Sequence, residues 1–236
     1  MTSSPVPTAI VTDSAADLPA DLVESYAIRV VPAILVVAGE SFPDGKGLSR
    51  EAFYDRMPSM GRPTTTASPS PEAFAAAYQT AFDFGAEQVL SIHVSGRLSG
   101  IAGIAQRAAQ AFRGRVHVVD TGQASLGTGF QVLAAARAVA EGRRLAEVLA
   151  AIDGVRRRVR LIAMIDDLEY LRRSGRVDWL RSGLSALLHI RVLIELADGA
   201  VRRLGQVRSR PKAIEALFER ARAWGDLDHL GVLHSS

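Results

Sequence analysis

The chain contains no cysteine among its 236 residues. That excludes disulfides, thiolate metal sites and a cysteine nucleophile. No apolar run approaches the roughly 18 residues needed to span a bilayer. The opening stretch, Met1-Thr2-Ser3-Ser4-Pro5-Val6-Pro7, has neither a basic n-region nor an apolar h-region. No signal peptide is expected from it, and a cytoplasmic protein is the simplest expectation. A P-loop, which needs a glycine-rich turn closed by Gly-Lys-Ser/Thr, is missing. So is the Gly-x-Ser-x-Gly nucleophile elbow, because Gly122-Gln123-Ala124-Ser125-Leu126-Gly127 has one residue too many. Gly127-Thr128-Gly129 lacks the third glycine of a dinucleotide fingerprint. The five histidines are scattered without ligand spacing, so no metal is expected. There is no internal repeat and no low-complexity segment.

Two hydroxyl-rich turns stand out against that background. Pro63-Thr64-Thr65-Thr66-Ala67-Ser68-Pro69-Ser70-Pro71 and Ser95-Gly96-Arg97-Leu98-Ser99-Gly100 each precede an expected helix. Hydroxyls and unpaired N–H groups at helix starts suit an anion such as a carboxylate or phosphate. Serine and threonine are also ordinary helix caps, and singly each of these residues reads as one. Two such turns on adjacent units of one sheet favour a ligand. Binding is therefore expected more than catalysis.

Elsewhere short apolar strands alternate with helices. Strands are expected at Ala9–Thr12, Arg29–Val37, Val89–Val94 and Val116–Val119. Helices are expected at about Ala20–Tyr26, from Pro71, at Ser99–Phe112, Gly127–Ala140 and Leu145–Arg158. Gly39–Gly47 reads as a loop. Phe74, Tyr78 and Phe82 recur at spacing four, on one helix face. The alternation implies an α/β fold with a largely parallel sheet and flanking helices in a first domain, residues 1–158. Sites in such sheets lie beyond the carboxyl ends of the strands. Asp13-Ser14, Ser95 and Asp120-Thr121 occupy such ends and are expected to share a rim. Asp13 reads mainly as a turn-capping residue and His93 as a core histidine.

A smaller α/β second domain is expected over residues 159–236. Its strands are Leu161–Ile165, Val192–Leu196, Val201–Leu204 and Leu230–Leu233. Its helices start near Asp166 and run over Leu184–His189 and Pro211–Trp224. Asp198-Gly199 signals a hairpin. Because the domain would close on a strand, it reads as incomplete, continuing past Ser236. Residues 1–154 carry 12 basic and 15 acidic side chains, whereas residues 155–236 carry 16 and 10. The basic second part is open to an acidic protein, to phosphates or to transient contact with an anionic membrane surface. A solvated face explains the same charges. A net charge of +3 does not call for nucleic acid.

The ordered motifs resemble the DegV family of bacterial fatty-acid-binding proteins. They are Thr12-Asp13-Ser14 with Asp17-Leu18-Pro19, the two hydroxyl turns, and Asp120-Thr121 with Ser125-Leu126-Gly127-Thr128-Gly129. The block Leu168-Glu169-Tyr170-Leu171-Arg172-Arg173-Ser174-Gly175-Arg176-Val177 and Val207-Arg208-Ser209-Arg210 complete the series. The resemblance implies a two-domain fold with one long-chain fatty acid in a buried tunnel between the domains. It implies that Thr66, with Thr65 beside it, and Ser95 with Gly96 hold the carboxylate. Where this chain departs from the family's pattern, the N–H groups of Gly96 and Arg97 are expected to substitute as anion donors, and Arg97 can itself pair with the carboxylate. It implies further that a separate fatty acid kinase subunit phosphorylates the carboxylate to an acyl phosphate. The chain would then be a carrier, not an enzyme, with the bound fatty acid as ligand and no cofactor. Ala67, Ser68 and Gly96 depart from the family's usual serine, glutamine and serine. Arg176 matches an arginine expected to hold phosphate or dock the kinase, with an ion pair to Asp166, Asp167 or Glu169 as the structural alternative. Two other readings stand beside this one. One is a hydrolase or transferase acting on an acyl ester or phosphoester. The other is a basic protein-docking module.

Overall fold

The computed structural model describes residues 6–57, 64–177 and 190–234. The chain divides into two compact units, Met1–Val159 and Arg160–Ser236.

The first unit is built on four parallel strands: β1 (Thr8–Asp13), β2 (Arg29–Val31), β6 (Gln88–His93) and β7 (Val116–Asp120), in the order β2-β1-β6-β7. Strand β6 lies inside the sheet, and its residues Val89 to His93 are wholly buried. Alternate residues of a strand face opposite sides, so β6 serves two cores at once. Val89 joins Phe74, Tyr78 and Ala81 of α3 (Pro71–Asp83) and Ile101 and Ala105 of α4 (Ile101–Ala109). Leu90 and Ile92 join Val132 and Ala136 of α5 (Leu126–Ala140) and Val148 and Ile152 of α6 (Leu145–Arg158). Helices thus cover both faces, as the sequence alternation implies.

Local chemistry sets the helix that follows the first hydroxyl turn. The Ser70 hydroxyl accepts the Ala73 N–H at 3.3 Å, and Pro71 occupies the first turn. Phe74 and Tyr78 are fully buried. Gly129 earns its place by proximity: a Cβ there would stand 2.6 Å from the Ala16 carbonyl. Helix α5 therefore packs directly on the turn leaving β1.

The run Arg29–Val37 is not one strand. It ends at Val31 and resumes as β3 (Ile34–Val37), which pairs antiparallel with β4 (Glu40–Pro43) and β5 (Thr65–Ala67) in a separate sheet, order β4-β3-β5. Pro32 has no N–H for a ladder, which separates the two strands. Gly39–Gly47, read as a loop, therefore contributes β4. The Thr65–Ala67 part of the first hydroxyl turn is a strand, with Thr66 opposite Leu35 and Thr65 opposite Val36. The other elements here are α1 (Ala20–Ser25) and α2 (Arg50–Arg56), the second unforeseen.

The second unit holds an antiparallel sheet, β8 (Leu161–Ile165), β9 (Arg191–Ala197) and β10 (Ala200–Val207), ordered β10-β9-β8. Helices α7 (Leu168–Ser174) and α8 (Arg210–Arg222) complete its described elements. The expected hairpin is present, with Asp198 and Gly199 at φ 52° and 73°. Two consecutive positive φ values are what a two-residue turn needs to match the strand twist. Leu230–Leu233 is not a strand: it pairs with no described strand, and Leu230 and Val232 are 65% and 75% exposed. The helix expected at Leu184–His189 lies outside the described residues.

Candidate site at the carboxyl rim of the parallel sheet

Because β1, β6 and β7 run in parallel, their carboxyl ends bring Asp13, Ser95 and Asp120 to one rim. Asp13 is fully buried and accepts three donors. Its Oδ1 takes the Ala15 N–H at 3.0 Å, and its Oδ2 takes His93 Nδ1 at 2.9 Å and the Val94 N–H at 3.1 Å. The cap expected of Asp13 is present, but it is only one of these three bonds.

His93 continues inward. Its Nε2 lies 2.6 Å from Ser91 Oγ, which in turn lies 2.9 Å from the Tyr78 hydroxyl. The carboxylate assigns the proton to Nδ1, so Nε2 accepts from Ser91, and Ser91 accepts from Tyr78. The chain Tyr78–Ser91–His93–Asp13 thus has a fixed direction. Asp, His and Ser in this order resemble a nucleophilic triad. All three are wholly buried, however, and Ser91 is engaged at both ends. No substrate reaches Ser91 Oγ without opening the core.

Burial pushes the Tyr78 phenol up to about 12. The folded state therefore favours the neutral phenol. That contribution is complete below pH 10 and is lost as the pH rises towards 12. Stability measured by denaturant titration at rising pH will show this alkaline decline, and Tyr78→Phe will remove it. An unchanged decline in the variant would assign it elsewhere.

The second hydroxyl turn is tightly organised. Ser95 is buried, and its N–H donates to the Gln123 carbonyl at 2.7 Å. Its carbonyl accepts the Leu98 and Ser99 N–H groups, each at 3.0 Å, and its Oγ accepts the Arg97 N–H at 3.2 Å. Gly96 is exposed, and its N–H donates to Asp120 Oδ2 at 2.9 Å. The other oxygen of Asp120 accepts the Gly122 N–H at 2.9 Å. The amides of Gly96 and Arg97, expected as anion donors, therefore already have acceptors inside the rim. Thr121 locks β7 to β6, donating its hydroxyl to the His93 carbonyl at 2.8 Å.

The first turn lies alongside the second. Ser68 Oγ is 3.5 Å from where a Cβ on Gly100 would stand. Thr65 and Thr66 are exposed on β5, and Arg97 is exposed on the second turn. The small sheet carrying β5 is tied to the rim. Ser14 Oγ accepts the Ala33 N–H at 3.0 Å. Arg50 bonds Asp44 at 2.8 Å, Asp17 at 2.6 Å and the Ser14 carbonyl at 3.1 Å. The bond to Asp44, followed by that to Asp17, raises the Arg50 pKa against the opposing effect of burial.

Arg176 belongs to the second unit. It is exposed and turns back on Ser174, whose carbonyl accepts its Nη1 at 3.2 Å. The three acids proposed as its ion-pair partners are engaged elsewhere. Asp166 binds Arg191 at 2.5 Å and Arg210 at 3.3 Å. Asp167 accepts the Glu169 N–H at 2.8 Å. Glu169 bonds Arg172 and Arg173, each at 2.6 Å, and these bonds hold its carboxyl down to about 2.

Residues 7–235 match the family described as "Uncharacterised protein, DegV family". The chain belongs to the DegV family. A DegV domain-containing protein of Deinococcus radiodurans is 37% identical over 216 residues, covering 92% of this chain and 76% of the relative. The structure of a Thermus thermophilus DegV family protein, described as fatty-acid binding, matches with a TM-score of 0.85 at 38% identity. It covers 93% of this chain and 78% of the other. A Thermotoga maritima protein described as revealing a fatty-acid-binding function matches with a TM-score of 0.79 at 30% identity, covering 92% and 77%. In this DegV chain the described residues contain no cluster of three potential metal ligands. Among them, no helix is long and apolar enough to cross a membrane.

Sequence reasoning placed Asp120 on the rim but missed its bridge to Gly96. It also treated His93 alone. The available signal was Ser91 and His93 at alternate positions of an otherwise apolar strand, facing the same side as Tyr78.

Proposed function

We propose that the protein binds a long-chain fatty acid, grips its carboxylate at the carboxyl rim, and presents it to a separate kinase that forms the acyl phosphate. Thr66 and Ser95 are the hydroxyl donors, Thr65 stands beside them, and Arg97 supplies positive charge. The observation that carries this reading is the adjacency of the two hydroxyl turns, with Ser68 against Gly100. The relatives described as fatty-acid binding, at 38% and 30% identity, support it. The rim offers hydrogen-bond donors, while the array Asp13–His93–Ser91 is sealed in the core. That favours a non-catalytic carrier over a hydrolase, with the fatty acid as ligand and no cofactor. Arg176, exposed and outside the rim's unit, is assigned to docking the kinase or meeting the phosphate.

The energetics fit such a ligand. A dozen buried methylenes contribute roughly 10 kcal/mol, so the tail supplies most of the affinity. Hydrogen bonds to the charged head, about 1.5–3 kcal/mol each, fix its orientation and keep a buried carboxylate from being costly.

Mass spectrometry of denatured, purified protein is expected to release a long-chain fatty acid, or to do so after incubation with oleate. A protein that is empty and takes up none would overturn this reading.

A further inference from the structure

We propose that Asp120 is an internal carboxylate that competes with the ligand's own at the head-group turn, and so sets how tightly an anionic head is held. The inference rests on the reading of Ser95 as a carboxylate donor. Asp120 holds the rim as a ligand carboxylate would, with each oxygen taking one backbone N–H from a different loop. Oδ2 takes the Gly96 N–H and Oδ1 the Gly122 N–H, both at 2.9 Å. Gly96 is the neighbour of Ser95, so the negative charge sits one residue from the hydroxyl assigned to the ligand.

Among the described residues no ion pair involves the Asp120 carboxylate, whose partners are both backbone N–H groups. Arg156 directs its guanidinium to the Asp120 backbone carbonyl and to Asp153 at 3.7 Å, not to the Asp120 side chain. Nor is the arrangement compatible with a side chain at residue 96. A Cβ there would stand 2.8 Å from Asp120 Oδ2. Glycine at 96 and the position of the Asp120 carboxylate are one design. The contact atom is the end of an exposed side chain, so it can swing away when another anion takes the amide.

Two consequences follow. A ligand carboxylate arriving at Ser95 meets a like charge, which weakens its binding. An uncharged head does not. A doubly charged head, such as an acyl phosphate, is opposed more strongly than the fatty acid. The repulsion therefore favours release once the head gains charge.

The test compares palmitate with hexadecanol, which share a tail and differ in head charge. Asp120→Asn removes the charge and keeps one acceptor for the loops. At low salt it is expected to bind palmitate at least about tenfold tighter than the parent, because a like charge is removed from beside the head group. Hexadecanol affinity should not change. The palmitate gain should shrink as salt screens the charge. Gly96→Ala, whose Cβ displaces Oδ2, frees the amide while the charge remains, so a smaller gain of the same sign is expected. Thermal melting of each variant controls for folding. A palmitate-to-hexadecanol affinity ratio that is unchanged or lower in both variants overturns the proposal and assigns Asp120 to loop structure alone. If the parent and both variants bind neither ligand, the head-group assignment itself is wrong, and this inference falls with it.

Discussion

Replacing both Thr66 and Ser95 with alanine will weaken long-chain fatty acid binding by at least 100-fold, and each single replacement by at least tenfold. A hydrogen bond to a charged acceptor is worth about 1.5–3 kcal/mol, and each hydroxyl is assigned one. Ser95 is the more exacting case. It is buried, and the Arg97 N–H that its Oγ accepts fixes where the hydroxyl proton points. Thr66 lies on the small sheet, so its removal deletes a donor without opening a cavity in either core. Titration with palmitate measures the effect. Titration with hexadecanol separates loss of the head grip from general damage, since a neutral head has less to lose. Unchanged palmitate affinity in both single variants would remove these residues from the site.

The second large effect concerns stability. Asp13→Ala will destabilise the first unit by about 3–5 kcal/mol. It strips the acceptor from three donors, the His93 ring, the Val94 N–H and the Ala15 N–H, two of them deep in the core. Removing one partner of a buried pair is costly because the remaining polar groups stay buried without partners. The expected fall in melting temperature is about 10 °C for a domain of this size. Asp13→Asn, which keeps acceptor oxygen at the same place, will lose less. Loss below about 1 kcal/mol in the alanine variant would mean that the buried chain is not maintained in solution. Because Val94 precedes Ser95, the variant should also loosen the second turn.

Much of the parallel sheet is legible from the sequence because its strands are short, apolar and separated by helices. Ser70 before Pro71 and the stripe Phe74–Tyr78 already carry the information that α3 uses. The small sheet is harder to see. β3 and β4 are only four residues each and β5 three, and β5 reaches β3 from far along the chain, Thr65 lying opposite Val36. A lone Pro32 was the visible break between β2 and β3, and an unbroken β-branched run outweighed it. Leu230–Leu233 shows the opposite error: an apolar stretch has strand character, but only a neighbouring strand makes it one. At the site, the hydroxyls were readable because residue type signals chemistry. The engagement of the Gly96 amide by Asp120 was not, because 24 positions separate the two and only the folded rim brings them together.

The split at Pro32 places the threonines of the head-group turn on a sheet that contributes little to either core. What anchors that sheet is polar: Arg50 and Ser14, reaching Asp17, Asp44 and Ala33. Substitutions in β3, β4 or β5 can therefore retune ligand preference while the main scaffold keeps folding as before. Under the proposed binding role, related lineages have a route to new ligands through a few exposed residues, with the parallel sheet and its flanking helices left untouched.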